Sequence, residues 1–461
     1  MTNPRDQLGA REPLHLRVAA AMLRPFAKVE PREVASVTLL SLSIFVLLTA
    51  YYLLKVVREP LILLSSGAEA KSYVALLQVL LAVGVVRLYS WLCQRSRSRM
   101  RVITSVTSFF IVTLVVLCVL ALAGAPIGIV FFMWVGVFSV TTIAQFWSLA
   151  NDVFTREQGE RVFPVIGIGS SLGAAVGSQV ARMLLRPIGI YWMMPVAALL
   201  LIVHLGVTYV VHRREPERLP EPREPDDEEI AGEAANADAD HALGGGSSVV
   251  KLFLERPYLI LVGALTLLLN TVNTTGEYIL DRTILESAST AASSASTFIA
   301  GVRASFFTWV NVCGLLLQMF VVSRVVGYFG VRIPLIVIPL ASLAGYGSIA
   351  FAPLLAVILV AKVAENSIDY SLHKTVREML FLIVPREAKY RAKNAVETVF
   401  WRSGDALAAA IIWTGSHLGF AIARFVHINI VMVGLWFGLA VAIAAYHRRE
   451  SGDVAPAASA A

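Results

Sequence analysis

Charged side chains inside apolar, helix-length stretches carry what chemistry this sequence offers. At the centre of a bilayer each costs a few kcal/mol on insertion scales, so it faces a cavity or a partner. Tyr51-Tyr-Leu-Leu-Lys-Val-Val-Arg-Glu-Pro60 sets Lys55, Arg58 and Glu59 on the continuation of an apolar helix. Gln145-Phe-Trp-Ser-Leu-Ala-Asn-Asp152 ends another such stretch, and Asn270-Thr-Val-Asn-Thr-Thr-Gly-Glu-Tyr-Ile-Leu-Asp-Arg282 carries Glu277. Lys362-Val-Ala-Glu-Asn-Ser-Ile-Asp369 runs on to Lys374, Arg377 and Glu378, and Glu397, Arg402 and Asp405 follow.

Helical spacing sorts these groups. Residues three or four apart share a face, so Lys55 can pair with Glu59, Lys362 with Glu365 and Arg402 with Asp405, while Glu365 and Asp369 stand four apart on one face. Arg58 has only the adjacent Glu59, which points elsewhere, so it stands as an unpaired cation in a cavity. Such a cation takes an anionic ligand, and a guanidinium suits phosphate bidentately. The same charges serve equally well as interhelical salt bridges or as snorkelling side chains at the interface.

Other chemistries lack their residues. Gly167-Ile-Gly-Ser-Ser-Leu-Gly-Ala-Ala-Val-Gly177 is glycine-rich, but no strand precedes it, and Gly169, Gly173 and Gly177 are four apart, the small-residue stripe of a packed membrane helix. No GxxxxGK[ST] loop, HExxH pair or nucleophile elbow occurs. No enzyme, resident cofactor or metal site is therefore expected. Cys93, Cys118 and Cys313 are scattered without ligand spacing. His373, beside Lys374, is expected to be structural.

The elements that must position these residues follow from composition. The 461 residues are 57% hydrophobic and 15% charged, with mean hydropathy +0.70, against about 25% charge in soluble domains. The lipid bilayer is the solvent, and the +7 net charge is not read as nucleic-acid binding. With about 20 helical residues per crossing, the expected spans are 34–54, 72–92, 102–123, 127–150, 163–185, 189–211, 257–276, 301–323, 331–351, 353–373, 394–416 and 419–446. The first residues show no signal peptide, and Leu14–Phe26 has the pattern of a short amphipathic surface helix.

Basic residues set the orientation. Arg5, Arg11, Arg17, Arg24, Lys28 and Arg32, the loop Cys93–Arg101, the group Arg386, Lys389, Arg391 and Lys393, and Arg448 with Arg449 all fall on one side. Both termini are therefore expected in the cytoplasm. Residues 213–248, rich in Pro, Glu, Asp, Ala and Gly, lack the apolar surface to order themselves. The expected organisation is a segment 1–33, a six-helix half 34–212, an acidic linker 213–248, a second half 249–447 and a tail 448–461. This is an all-α membrane protein of about twelve transmembrane helices, in the six-plus-six layout of major-facilitator carriers, expected to act as a monomer.

Across most of residues 34–446 the chain resembles the ATP/ADP translocases of plastids and intracellular bacteria, and more closely their free-living bacterial relatives. Leu54-Lys55-Val56-Val57-Arg58-Glu59 resembles the family's ILRDTKD signature, with Arg58 where the family has a functional lysine. Phe146-Trp-Ser-Leu-Ala-Asn-Asp152, followed by Glu160-Arg-Val-Phe-Pro-Val-Ile-Gly167, is similar to its FWxxAN region. Glu277 looks like its seventh-span acid, and Arg377-Glu378-Met379 like its KEM. Lys389-Tyr-Arg-Ala-Lys-Asn-Ala-Val-Glu397 stands for a KxKxKAAVD-like stretch, with Arg402 after it. Ser403-Gly404-Asp405 replaces a Gly-Lys-Ser, so an anion stands where the family has a cation.

The resemblance implies a multi-pass carrier of the bacterial inner membrane exchanging ATP for ADP by alternating access. It implies a nucleotide or other small anion held by Lys55, Arg58, Asp152, Glu277, Arg377 and Arg402, with Lys393 and Asp405 as helpers. The alternative is a proton-coupled carrier of another anionic or zwitterionic solute, for which Glu277, Glu365, Asp369 and Asp405 supply carboxylates. A role in lipid movement or as a scaffold is a third reading, under which neutralising Arg58 or Arg377 has no effect.

Overall fold

A computed structural model describes Glu30 and residues 33–95, 98–214, 252–381, 384, 392–393 and 395–453. The candidate surface helix Leu14–Phe26, the linker beyond Arg214, and Arg386, Lys389 and Arg391 lie outside these residues. The described elements are helical throughout. They are α1 (Val34–Arg95), α2 (Arg99–Leu122), α3 (Gly128–Val153), α4 (Arg156–Ile188), α5 (Met193–Arg214), α6 (Pro257–Ala288), α7 (Ala295–Leu317), α8 (Ser323–Phe329), α9 (Arg332–Phe351), α10 (Leu355–Ile368), α11 (Lys374–Leu380), α12 (Trp401–His417) and α13 (Ile422–Asp453). Three π-helical turns, Gln318–Val322, Asp369–His373 and Val396–Phe400, link α7 to α8, link α10 to α11, and open α12.

Among the described residues nine helices are long and apolar enough to cross a membrane, against twelve spans expected. The differences have local causes. The first two expected spans both fall within α1, which is two helices meeting at a kink at Gly67, where φ is 83° and ψ 174°, a conformation essentially restricted to glycine; of this stretch only Val34–Gln78 enters the count of nine. The tenth and eleventh expected spans run through π turns that widen the helix without ending it, Asp369–His373 joining α10 to α11 and Val396–Phe400 leading into α12, and the charges they carry keep them out of the count.

The chain divides into two compact units. One comprises Met1–Val57, Gly84–Ala125 and Trp134–Glu221; the other comprises Arg58–Val83, Pro126–Met133 and Pro222–Ala461. The central part of α1 and the first turns of α3 thus belong to the second unit.

In the first unit α2 packs on α5 and α4 on the first turns of α1. A Cβ on Gly169, Gly173 or Gly177 would lie 2.8, 2.4 and 2.5 Å from the carbonyl oxygens of Ser41, Phe45 and Thr49. The glycine run is thus a packing stripe, as its spacing implies. Ser43 Oγ bridges His204 Nδ1 at 2.9 Å and Thr208 Oγ1 at 3.1 Å, so this buried histidine is satisfied locally. In the second unit α13 lies against α6 and α9, α12 against α6, and α10 against α7 and α9. Gly128 of α3 meets α1 so closely that a Cβ would sit 2.3 Å from the Leu61 oxygen.

Candidate functional site

Four apolar helices of the second unit bring their charges together. Asn273, Glu277 and Asp281 recur every four residues along α6 and so share a face. Arg303 comes from α7, Glu59 and Lys71 from the middle of α1, and Lys362, Glu365 and Asn366 from α10.

The contacts are continuous. Glu59 receives Arg58 Nη2 at 2.7 Å and Lys71 Nζ at 2.5 Å, with Arg303 Nε 3.7 Å away. Lys71 also reaches Asp281 at 2.7 Å. Arg303 donates to Asp281 and, at 3.1 Å, to Glu277. Asn366 donates to the other oxygen of Glu277 at 3.0 Å, and Lys362 stands 3.9 Å from it. Lys362 in turn donates to Asn273 Oδ1 at 3.0 Å and to Glu365 at 2.9 Å. Tyr346 of α9 donates to Glu365 at 3.2 Å. The approach depends on Gly276, where a Cβ would lie 2.1 Å from Tyr346 Oη and 3.0 Å from Lys362 Nζ.

Charge balances within this set. Arg58, Lys71, Arg303 and Lys362 face Glu59, Glu277, Asp281 and Glu365. Arg303, Glu59 and Asp281 are 0–2% exposed, whereas Glu277 is 27% exposed. Glu277 is therefore the most accessible member of the Arg303 cluster, and a group there can break one ion pair without unpacking the rest.

Two expectations are corrected. Arg58 is not an unpaired cation: its guanidinium folds back onto the neighbouring Glu59 and lies 4.4 Å over the Phe132 ring. Adjacent helical residues diverge at Cβ, but the length of arginine closes the gap. Glu59, which spacing offered to Lys55, is held by Arg58, Lys71 and Arg303. The remaining candidates lie elsewhere. Lys55 and Asp152 are in the first unit, Lys55 with its Nζ 5.1 Å over Tyr52 and Asp152 exposed near the end of α3. Arg377 stacks 4.8 Å over Trp401. Arg402, 47% exposed, pairs with Asp405 at 3.3 Å, and Asp405 accepts from Asn270 at 2.7 Å and Thr274 at 3.2 Å. Lys393 pairs with Glu378 at 2.8 Å.

Lys71, Asp281 and Arg303 were missed as candidates. The signal was present for Arg303, the one charged residue within Ala295–Leu317, and for the four-residue run Asn273, Glu277, Asp281. Lys71 had no signal, because it falls between the first two expected spans, 34–54 and 72–92. Among the described residues no group of three His, Cys, Asp or Glu side chains could hold a metal ion.

Comparison with known proteins bears on the fold. The family described as TLC ATP/ADP transporter matches residues 17–126. No curated protein matches the chain. An auto-inhibited POT family peptide transporter superposes with TM-score 0.63 and 12% identity, covering 90% of this chain and 97% of its own. A variant of the nucleoside transporter NupG gives 0.62 and 10%, covering 88% and 99%. A D-xylose-proton symporter gives 0.58 and 13%, covering 90% and 97%.

The reading of the whole chain as an ATP/ADP translocase is therefore corrected. The family match stops at residue 126, so of the residues carried over from that resemblance only Lys55 and Arg58 fall within it. The structures that match along nearly the whole chain are other transporters. The charge balance of this network agrees: among the described residues its four cations are matched by four carboxylates. ATP binding and ATP-for-ADP antiport fall with that reading. What the likeness establishes is the fold, that of an all-α multi-pass membrane protein resembling major-facilitator-type transporters.

Proposed function

We propose that the protein is a proton-coupled carrier of a small anionic or zwitterionic solute, working by alternating access. The observation that carries this is Glu277, the accessible carboxylate of a balanced buried network, held between Arg303 and Asn366 with Lys362 beside it. A proton on Glu277 cancels its charge and leaves Arg303 and Lys362 with surplus positive charge. A solute carboxylate or phosphate then replaces the lost anion. When the solute leaves, Glu277 releases its proton and closes the pairs again. A proton and an anion therefore favour each other's binding, which is the differential affinity that coupling requires. That one neighbour in structure is a proton symporter supports this coupling.

The proposal keeps Glu277 as the switching group and Arg58 as part of its surround. Lys55 and Asp152, and Arg377, Arg402, Lys393 and Asp405, are contacts the solute meets in other conformations of the cycle. Around them we place twelve spans in two halves, 34–212 and 249–447, joined by the 213–248 linker, in a bacterial inner membrane with both termini cytoplasmic, acting as a monomer.

The test is uptake into proteoliposomes of a labelled panel of dipeptides, amino acids, nucleosides and small carboxylates, with and without an inward proton gradient. At least one charged solute should accumulate only with the gradient, and Glu277→Gln should abolish that dependence. Uptake of a solute at equal rates under both conditions would contradict the reading.

A further inference from the structure

The second unit contains a cavity of about 520 Å³ between α6, α9, α10 and α13. That lies within the roughly 300–1,000 Å³ typical of sites for drug-sized ligands. Its walls are mainly alanine, valine and isoleucine, and it reaches the surface of the helices, since Val360, one of its lining residues, is 71% exposed. Few polar groups interrupt the apolar lining. Glu365 and Asp369 stand four residues apart on one side, and Tyr346 and Trp436 contribute rings.

The two carboxylates differ in their counter-charges. Glu365 is neutralised by Lys362 at 2.9 Å. Asp369 has as its ion-pair partner among the described residues the imidazole of His373, 3.0 Å away, a group without a permanent charge. Two buried polar atoms beside it are unmet. Trp436 is 97% buried and its Nε1 has no hydrogen-bond partner; neither has Nε2 of His373, whose ring meets Trp436 edge-on at 6.0 Å. A buried polar group left unpaired is costly, and each such group calls for an explanation. Asp369 also opens a π-helical turn, an irregularity frequent at functional sites.

We infer that this cavity is a binding site for a lipophilic cation: an apolar body carrying an ammonium or phosphonium group, with Asp369 as counter-ion. The walls take the body. The carboxylate and the negative faces of the Trp436 and Tyr346 rings attract the charge, and a hydrogen-bond acceptor next to that charge would satisfy the Trp436 N–H. Such molecules concentrate in the bilayer, from which a cavity reaching the helix surface can be filled. The site goes beyond solute transport and does not depend on it, so solute uptake can fail with this binding intact.

The probe is labelled tetraphenylphosphonium, bound to the purified full chain in lipid nanodiscs. Tetraphenylborate, of the same shape and opposite charge, is the competitor. The expected result is saturable binding, weakened at least tenfold by Asp369→Asn and preserved by Asp369→Glu, with tetraphenylborate failing to compete. Gly345→Leu, at a lining residue whose Cβ would sit 3.5 Å from that of Ala361, should block binding by filling the space. If that variant does not fold, the two Asp369 variants decide alone. Absent or unsaturable binding would overturn the inference, as would binding indifferent to Asp369→Asn or equal competition by tetraphenylborate.

Discussion

Arg303 and Glu277 show how much a side chain's role depends on partners distant in sequence. Arg303 is fully buried against Asp281, Glu277 and Glu59. Removing one member of a buried ion pair leaves an uncompensated charge and costs about 3–5 kcal/mol. Arg303→Met should therefore lower the apparent melting temperature sharply in detergent. Arg303→Lys should restore only part of it, because an ammonium cannot reproduce the guanidinium fork. Unchanged melting in Arg303→Met would show that the network contributes little to stability. Glu277→Gln keeps size and one acceptor, so it should cost much less stability than Arg303→Met while removing proton dependence. The sequence made Glu277, Lys362 and Glu365 visible as charges in apolar helices. It did not reveal which charges meet: Arg58 looked free because helical spacing describes Cβ directions, not the reach of a long side chain, and Lys71 was hidden because it falls between the first two expected spans, 34–54 and 72–92.

Close helix approaches carry the energetics at the level of elements. The α4 glycines sit against carbonyls of α1, so Gly173→Leu should cost at least the roughly 1–3 kcal/mol typical of overpacking. Gly206→Ala, at a position where nothing lies within 4 Å of the added carbon, should be tolerated. Thermal unfolding of the two variants side by side checks this, and equal losses would contradict the packing role. Gly276→Ala should be more damaging than its size suggests, since the new methyl group displaces both Tyr346 and Lys362 from Glu365. This stripe was legible because four-residue spacing of glycines has one simple structural meaning. The π turns were not, since a one-residue widening of a helix leaves no periodic mark.

For the molecule as a whole, hydropathy made the all-α multi-pass character readable, while the resemblance to nucleotide translocases extended a local match too far. Short signatures were read along residues 34–446, but the matched family stretch ends at residue 126, and the fold-level likeness covers the chain without identifying a solute. The proposed orientation has its own check. Ala231→Cys, placed in the linker of a chain whose Cys93, Cys118 and Cys313 are replaced, should react with a membrane-impermeant maleimide only from the cytoplasmic side. Labelling from the opposite side would invert the topology. The central claim is that anion binding and protonation of Glu277 are coupled, and the most direct measurement is internal pH in proteoliposomes loaded with a pH-sensitive dye. Adding a transported solute outside, with no gradient imposed, should acidify the interior in the native protein and not in Glu277→Gln. Solute uptake with no change of internal pH would contradict the account.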